Sequence, residues 1–138
     1  MPGITDVPRA TCALVLGGSL VPLLLGAAAV RPGAPPTAVD VRLSEWKVEV
    51  SAAPISAGAV VFHVANGGQI EHALEVEGKG FEQVSGPIAG GAEGTLNVTL
   101  KPGRYELYCP VGNGAHKQAG MKATITVTAD ESAPSSTY

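Results

Sequence analysis

Between Val39 and Ala129 several short runs carry apolar residues at alternate positions, punctuated by glycine and proline. Gly94 to Leu100 (GTLNVTL) sets Leu96, Val98 and Leu100 on one face, and Lys122 to Thr128 (KATITVT) does the same with Ala123, Ile125 and Val127. A helix would scatter these residues around its axis, whereas a strand gathers them on one buried side. Val39 to Val50 (VDVRLSEWKVEV) and Gly58 to Ala65 (GAVVFHVA) read as further strands, the second followed by a turn at Asn66-Gly67-Gly68. His72 to Glu77 (HALEVE) alternates with Leu74 and Val76 on the face of His72. Lys101-Pro102-Gly103 turns the chain into Tyr105 to Cys109, and Gly86 to Gly94 is a glycine-rich loop. No amphipathic helical stretch interrupts this pattern. Such a chain predicts an all-β fold, an antiparallel sandwich or barrel.

The two ends differ from this middle. Ala13 to Val30 is an almost uncharged apolar run preceded by Arg9, and Ala27-Ala28-Ala29 offers the small residues that an export peptidase cuts after. Residues 1–29 are therefore expected to be a signal peptide, with an uncleaved N-terminal anchor as the alternative, because roughly 18 apolar residues reach the lower limit for a membrane span. Either reading exports the rest of the chain, to a periplasmic, extracellular or outward-facing membrane-anchored location. Cys12 precedes the apolar run and reads as one more apolar residue of the signal, not as a lipid-attachment site. Residues 30–38 form a Pro/Gly-rich linker, 39–129 the folded domain, and 130–138 (DESAPSSTY) a small polar tail. The formal net charge is −3, and the lysines and arginines form no stripe, so nucleic acid is not an expected partner.

Removal of the signal leaves Cys109 as the single thiol of an exported domain, unable to form an internal disulfide and open to oxidation unless something engages it. Cys109, His116 and Met121 share one connecting segment, CPVGNGAHKQAGM, in which Gly112, Gly114 and Gly120 permit sharp turns. His72 starts a strand that antiparallel pairing can bring to the same end of a sandwich. Thiolate and thioether are soft ligands that favour Cu(I), and imidazole serves both copper oxidation states. A trigonal set of two His and one Cys with a weak axial Met suits electron transfer by a single copper ion, because one geometry tolerates both states. Zinc gains little from methionine, and no open water position or general base suggests hydrolysis. Singly, each residue has a plainer reading: Cys109 as a buried small hydrophobe, His116 as a loop residue, Met121 as a core plug. Their joint occurrence carries the metal reading.

The segment YCPVGNGAHKQAGMKATITV, with NGGQIEHALEVE upstream, resembles the cupredoxin family, the plastocyanin- and azurin-like type 1 blue-copper proteins, and most closely the bacterial cupredoxin-domain proteins. The resemblance spans about Val39 to Ala129. It implies a cupredoxin-like Greek-key β-sandwich with copper at one end, bound by His72, Cys109, His116 and Met121. The six residues between Cys109 and His116 make a longer gap than in plastocyanin-like members. Pro110 has no N–H to offer the sulfur, which leaves Ala73 as the donor that the family often uses there. Fewer donors to the thiolate lower the potential, other things equal.

The function expected is single-electron transfer between redox partner proteins by a monomeric carrier, not an enzyme. A copper-delivery or buffering module is the alternative, although the chain has no Met-rich or His-rich tract. A metal-free interaction domain is the third. His63 falls out of phase with Phe62 and Val64 and is expected to face solvent, and Asn66 to serve its turn. Trp46, Phe62 and Phe81 are expected in the core, and Glu71, Glu75 and Glu77 on a solvated strand face.

Overall fold

The computed structural model describes residues 33–51 and 54–130, so the expected signal or anchor, the start of the linker, and all but the first residue of the tail lie outside the described residues. Among the described residues no helix is long and apolar enough to cross a membrane. Among the described residues nine strands and one short helix follow in order: β1 (Thr37–Ser44), β2 (Lys47–Val50), β3 (Ile55–Ser56), β4 (Gly58–Asn66), β5 (Glu75–Gly78), β6 (Phe81–Val84), β7 (Glu93–Leu100), β8 (Gly103–Tyr108), α1 (Ala115–Gln118) and β9 (Lys122–Thr128). One sheet has the order β2-β1-β4-β7 and the other β3-β9-β8-β5-β6.

The inward faces of both sheets form one apolar core, centred on Val39, Leu43, Phe62, Leu74, Leu100 and Leu107. Period-two alternation puts them there: β7 buries Leu96, Val98 and Leu100 while the residues between them face out. Each side chain buried as fully as Phe62 or Leu43 contributes about 1.5–3 kcal/mol. The chain passes back and forth between the sheets in Greek-key fashion, and the two layers make a β-sandwich.

The pairing is not wholly antiparallel, contrary to expectation. β1 runs parallel to β4, and β3 runs parallel to β9. Between β1 and β4 the chain reverses in β2 and visits β3 in the opposite sheet, so β4 re-enters in the direction of β1. The stretch Val39 to Val50 is two strands, paired from Ser44–Lys47 to Val41–Val50, with Glu45-Trp46 as the turn between them. Neither Gly, Asn, Asp nor Pro marks that turn, and Trp46 takes the left-handed φ of 65° that such residues normally supply. Trp46 is accordingly 51% exposed and not a core residue. Phe62 is fully buried as expected, and Phe81 packs half-buried against the core, edge-on to Tyr105.

β5 begins only at Glu75, so His72 lies in the loop before it instead of in a strand. Glu75 is buried and accepts a hydrogen bond from the Tyr108 hydroxyl at 2.6 Å, while Glu71 and Glu77 are exposed. Burial, then this bond, pushes the Tyr108 phenol well above its ordinary range. His63 points outward from β4, as its phase predicts.

Candidate metal centre

Cys109 follows β8 directly and Met121 precedes β9 directly. The register of those strands, Tyr108 opposite Lys122, brings the two residues face to face. The Cys109 N–H donates to the Met121 carbonyl at 3.1 Å, and the Met121 N–H to the His116 carbonyl at 3.0 Å. The loop they enclose turns at Gly112, Asn113, Gly114 and Gly120, all with positive φ. It contains the four-residue helix α1, which the sequence reading did not anticipate and which carries His116. A single helical turn is too short for its apolar pattern to show.

His72 is set in place from the other side. Its N–H donates to the Ile88 carbonyl at 3.0 Å and its carbonyl accepts from the Ile88 N–H at 2.8 Å. Asn66 ties this region together: its Nδ2 donates to the carbonyls of Ile70 and Ile88, both at 2.8 Å, and its Oδ1 accepts from the Gly68 N–H. The residue is 2% exposed and its amide is satisfied at three points, so it pins the His72 loop as well as its own turn.

These constraints converge on one point. His72 Nδ1 lies 3.2 Å from His116 Nδ1, and Cys109 Sγ lies 3.7 Å and 3.5 Å from those two nitrogens. Three donors about 2.0–2.3 Å from a central ion in a trigonal plane would stand roughly 3.5–4 Å apart. The triangle therefore has the size and the atoms to hold a first-row transition metal. Among the described residues it is the one group of three or more such side chains close enough to share an ion. Cys109, His72 and Met121 have no exposed surface, and His116 is half-buried, so the site opens to solvent on the His116 side. Met121 is thus buried and joined through its backbone to both Cys109 and His116.

The Ala73 N–H points at Cys109 Sγ from 3.5 Å, the sulfur donor expected at that position. Burial, then the neighbouring His116, holds His72 below the ordinary imidazole range, with Glu45 acting in the opposite sense. A neutral ring with a free lone pair is the form that binds a metal. Beside His116, Lys117 sits 3.4 Å above the Tyr108 ring and pairs with Glu106 at 2.6 Å and Glu77 at 3.5 Å. Burial alone would lower the Lys117 pKa, but Glu106 and Glu77 outweigh it and hold the ammonium above its usual range.

Two residues of the β1–β2 turn reach this site without any local motif announcing them. The Trp46 ring meets His116 edge-on, and the Glu45 carboxylate lies 3.8 Å from His72 Nε2. The backbone N–H groups of Gln69 and of Glu45 itself hold that carboxyl below its ordinary range.

No family model matches the sequence, and no curated protein does. Solved structures do match in fold. The dithionite-reduced auracyanin of the photosynthetic bacterium Roseiflexus castenholzii superposes with a TM-score of 0.56 at 16% identity, over 70% of this chain and 99% of its own. Auracyanin A, a "blue" copper protein from the green thermophilic photosynthetic bacterium Chloroflexus aurantiacus, gives 0.52 at 15% identity, over 68% of this chain and 100% of its own. A multicopper oxidase gives 0.51 at 12% identity, over 70% of this chain but 46% of the oxidase. At these identities the likeness is one of fold: the chain is a cupredoxin-like β-sandwich.

Proposed function

We propose that this chain is a type 1 copper protein that carries single electrons between redox partners, with His72, Cys109, His116 and Met121 as the metal ligands. The observation that carries the reading is the triangle of two imidazole Nδ1 atoms and one cysteine sulfur with edges of 3.2, 3.5 and 3.7 Å, beside a buried methionine, on the fold of known blue-copper proteins. A thioether beside the cysteine and two imidazoles favours copper, since zinc gains little from methionine. Copper held there supplies a one-electron couple.

The residues of the chain supply the rest. Antiparallel β8 and β9 hold the Cys109–Met121 loop shut, and the Ile88 bridge fixes His72, so the donors have little freedom to rearrange. Cys109 and Met121 exclude water from the sulfur side. His116 is the ligand nearest the surface, with Trp46 against its ring and the apolar Pro110, Val111 and Ala115 on its own loop, and apolar neighbours permit close and brief contact with a partner. A small monomeric carrier fits this better than an oxidase, since further copper centres need more histidine than the three in the sequence, of which His63 lies on the outer face of β4. The apolar N-terminal run supports export, and so a place outside the cytoplasmic membrane.

Adding Cu(II) to the metal-free protein is expected to produce an intense blue or green thiolate-to-copper band that Cys109→Ser abolishes. Full copper occupancy without colour would overturn the assignment. Rapid electron self-exchange separates a carrier from a copper-delivery module, which would instead hand Cu(I) to an acceptor protein.

A further inference from the structure

We propose that Glu45 is a positioning residue for this centre: its carboxylate holds the proton on Nε2 of His72 and so keeps Nδ1 unprotonated toward Cys109 and His116. The effect on the ring stands on geometry alone, and only its effect on potential rests on the copper reading above.

His72 is fully buried, and its Nε2 has no hydrogen-bond partner. Leaving a buried polar group unpaired is destabilising. The acidic oxygen beside that nitrogen is Glu45 Oε1 at 3.8 Å, roughly 1 Å beyond a good N–H···O bond. At that distance the carboxylate acts on the ring through its charge, which favours an N–H and not a lone pair toward it. A neutral imidazole carries one proton. Placed on Nδ1, it would block the lone pair aimed at the metal position and turn the Nε2 lone pair against a carboxylate oxygen. Placed on Nε2, it gives the carboxylate a donor and leaves Nδ1 free. The 3.2 Å contact between the two Nδ1 atoms fits the same state, with His72 accepting from His116.

The carboxylate is set there by construction. The Gln69 N–H donates to Glu45 Oε1 at 2.6 Å and the Ile70 N–H at 3.2 Å. Gly68 leaves the space it occupies, since a Cβ at residue 68 would lie 2.6 Å from Oε1 and 2.7 Å from Oε2. Gly68 has no positive φ, so its lack of a side chain is explained by Glu45 and not by the turn. Asn66 Oδ1 accepts the Gly68 N–H at 2.9 Å and fixes that close approach. A carboxylate behind a ligating histidine fixes its tautomer and raises its basicity, which favours the higher oxidation state of a bound metal.

The test is nitrogen NMR of the histidine rings in the metal-free chain, followed by the reduction potential after copper loading. In the wild type, His72 is expected in the Nε2–H form with a slowly exchanging proton. Glu45→Ala should mix the tautomers and speed exchange of that proton about tenfold, the scale of losing a nearby opposite charge. Glu45→Gln should restore the tautomer through its amide oxygen yet leave the potential above wild type, because the charge is gone. Glu49→Gln, an exposed carboxylate paired with Lys47, should change neither. Should Glu45→Ala fail to fold, Gly68→Ala displaces the carboxylate from outside and should give the same mixed tautomers. Wild-type tautomer and exchange in whichever of these two variants folds, or an Nδ1–H ring in the wild type, overturns the proposal. A chain that binds no copper would refute the metal reading while the metal-free spectra still decide the role of Glu45.

Discussion

The indole of Trp46 meets the imidazole of His116 edge to face, with centroids 5.3 Å apart and ring planes at 88°. Trp46 holds that position with a left-handed backbone, a conformation a bulky residue adopts only when its surroundings require it. It is the single tryptophan of the chain, so its emission reports on the site. Cu(II) is expected to quench most of that fluorescence at one equivalent, whereas Zn(II) is not. Full emission from a copper-loaded protein would place the metal away from His116.

Met121→Leu tests Met121 as the proposed fourth ligand. The two side chains have similar volume, so a fully buried position should tolerate the exchange at less than about 1.5 kcal/mol. Loss of a thioether donor disfavours Cu(II), and the potential should rise while the thiolate band persists. An unchanged potential would make Met121 a packing residue only.

Gly90→Ala probes the support behind His72. A Cβ there would meet the Gln69 carbonyl oxygen at 2.6 Å and its carbon at 2.7 Å, backbone atoms that cannot swing aside. The loop carrying His72 would have to shift. Destabilisation of about 1–3 kcal/mol in urea unfolding is expected, together with weaker copper binding. Wild-type values in both measurements would mean that the His72 loop is not held through Gly90.

The metal-free protein should lose stability as pH falls. Burial lowers the pKa of His72 in the folded chain, so below the unfolded imidazole value of about 6.5 the unfolded state binds the proton first. This loss begins near that pH and is complete once the pH has passed below the folded pKa. Urea midpoints for the wild type should therefore drop between pH 7 and 5.5 more steeply than those of His72→Gln. Parallel profiles would remove His72 as the cause.

β4, β7, β8 and β9 lie close to where alternation alone put them, because a strand with one buried face imposes a period of two on its own residues. Cys109, His116 and Met121 were legible because they share one loop with glycines at three of its turns. The β1–β2 turn was not, since Glu45 and Trp46 carry no turn chemistry, and the exposure of Trp46 follows from that turn. Glu75 reads as solvated in sequence, yet Tyr108 on the adjoining strand covers it.

The amino-acid sequence by itself determined the all-β class and the grouping of Cys109, His116 and Met121 on one loop, since both reside in side-chain type and short-range spacing. Tertiary structure alone decided that β1 lies parallel to β4, that His72 enters from a loop, and that Glu45 and Trp46 reach the two imidazoles. Those outcomes depend on which strand pairs with which across the sandwich, and such long-range contacts leave no period or motif in the residues that make them.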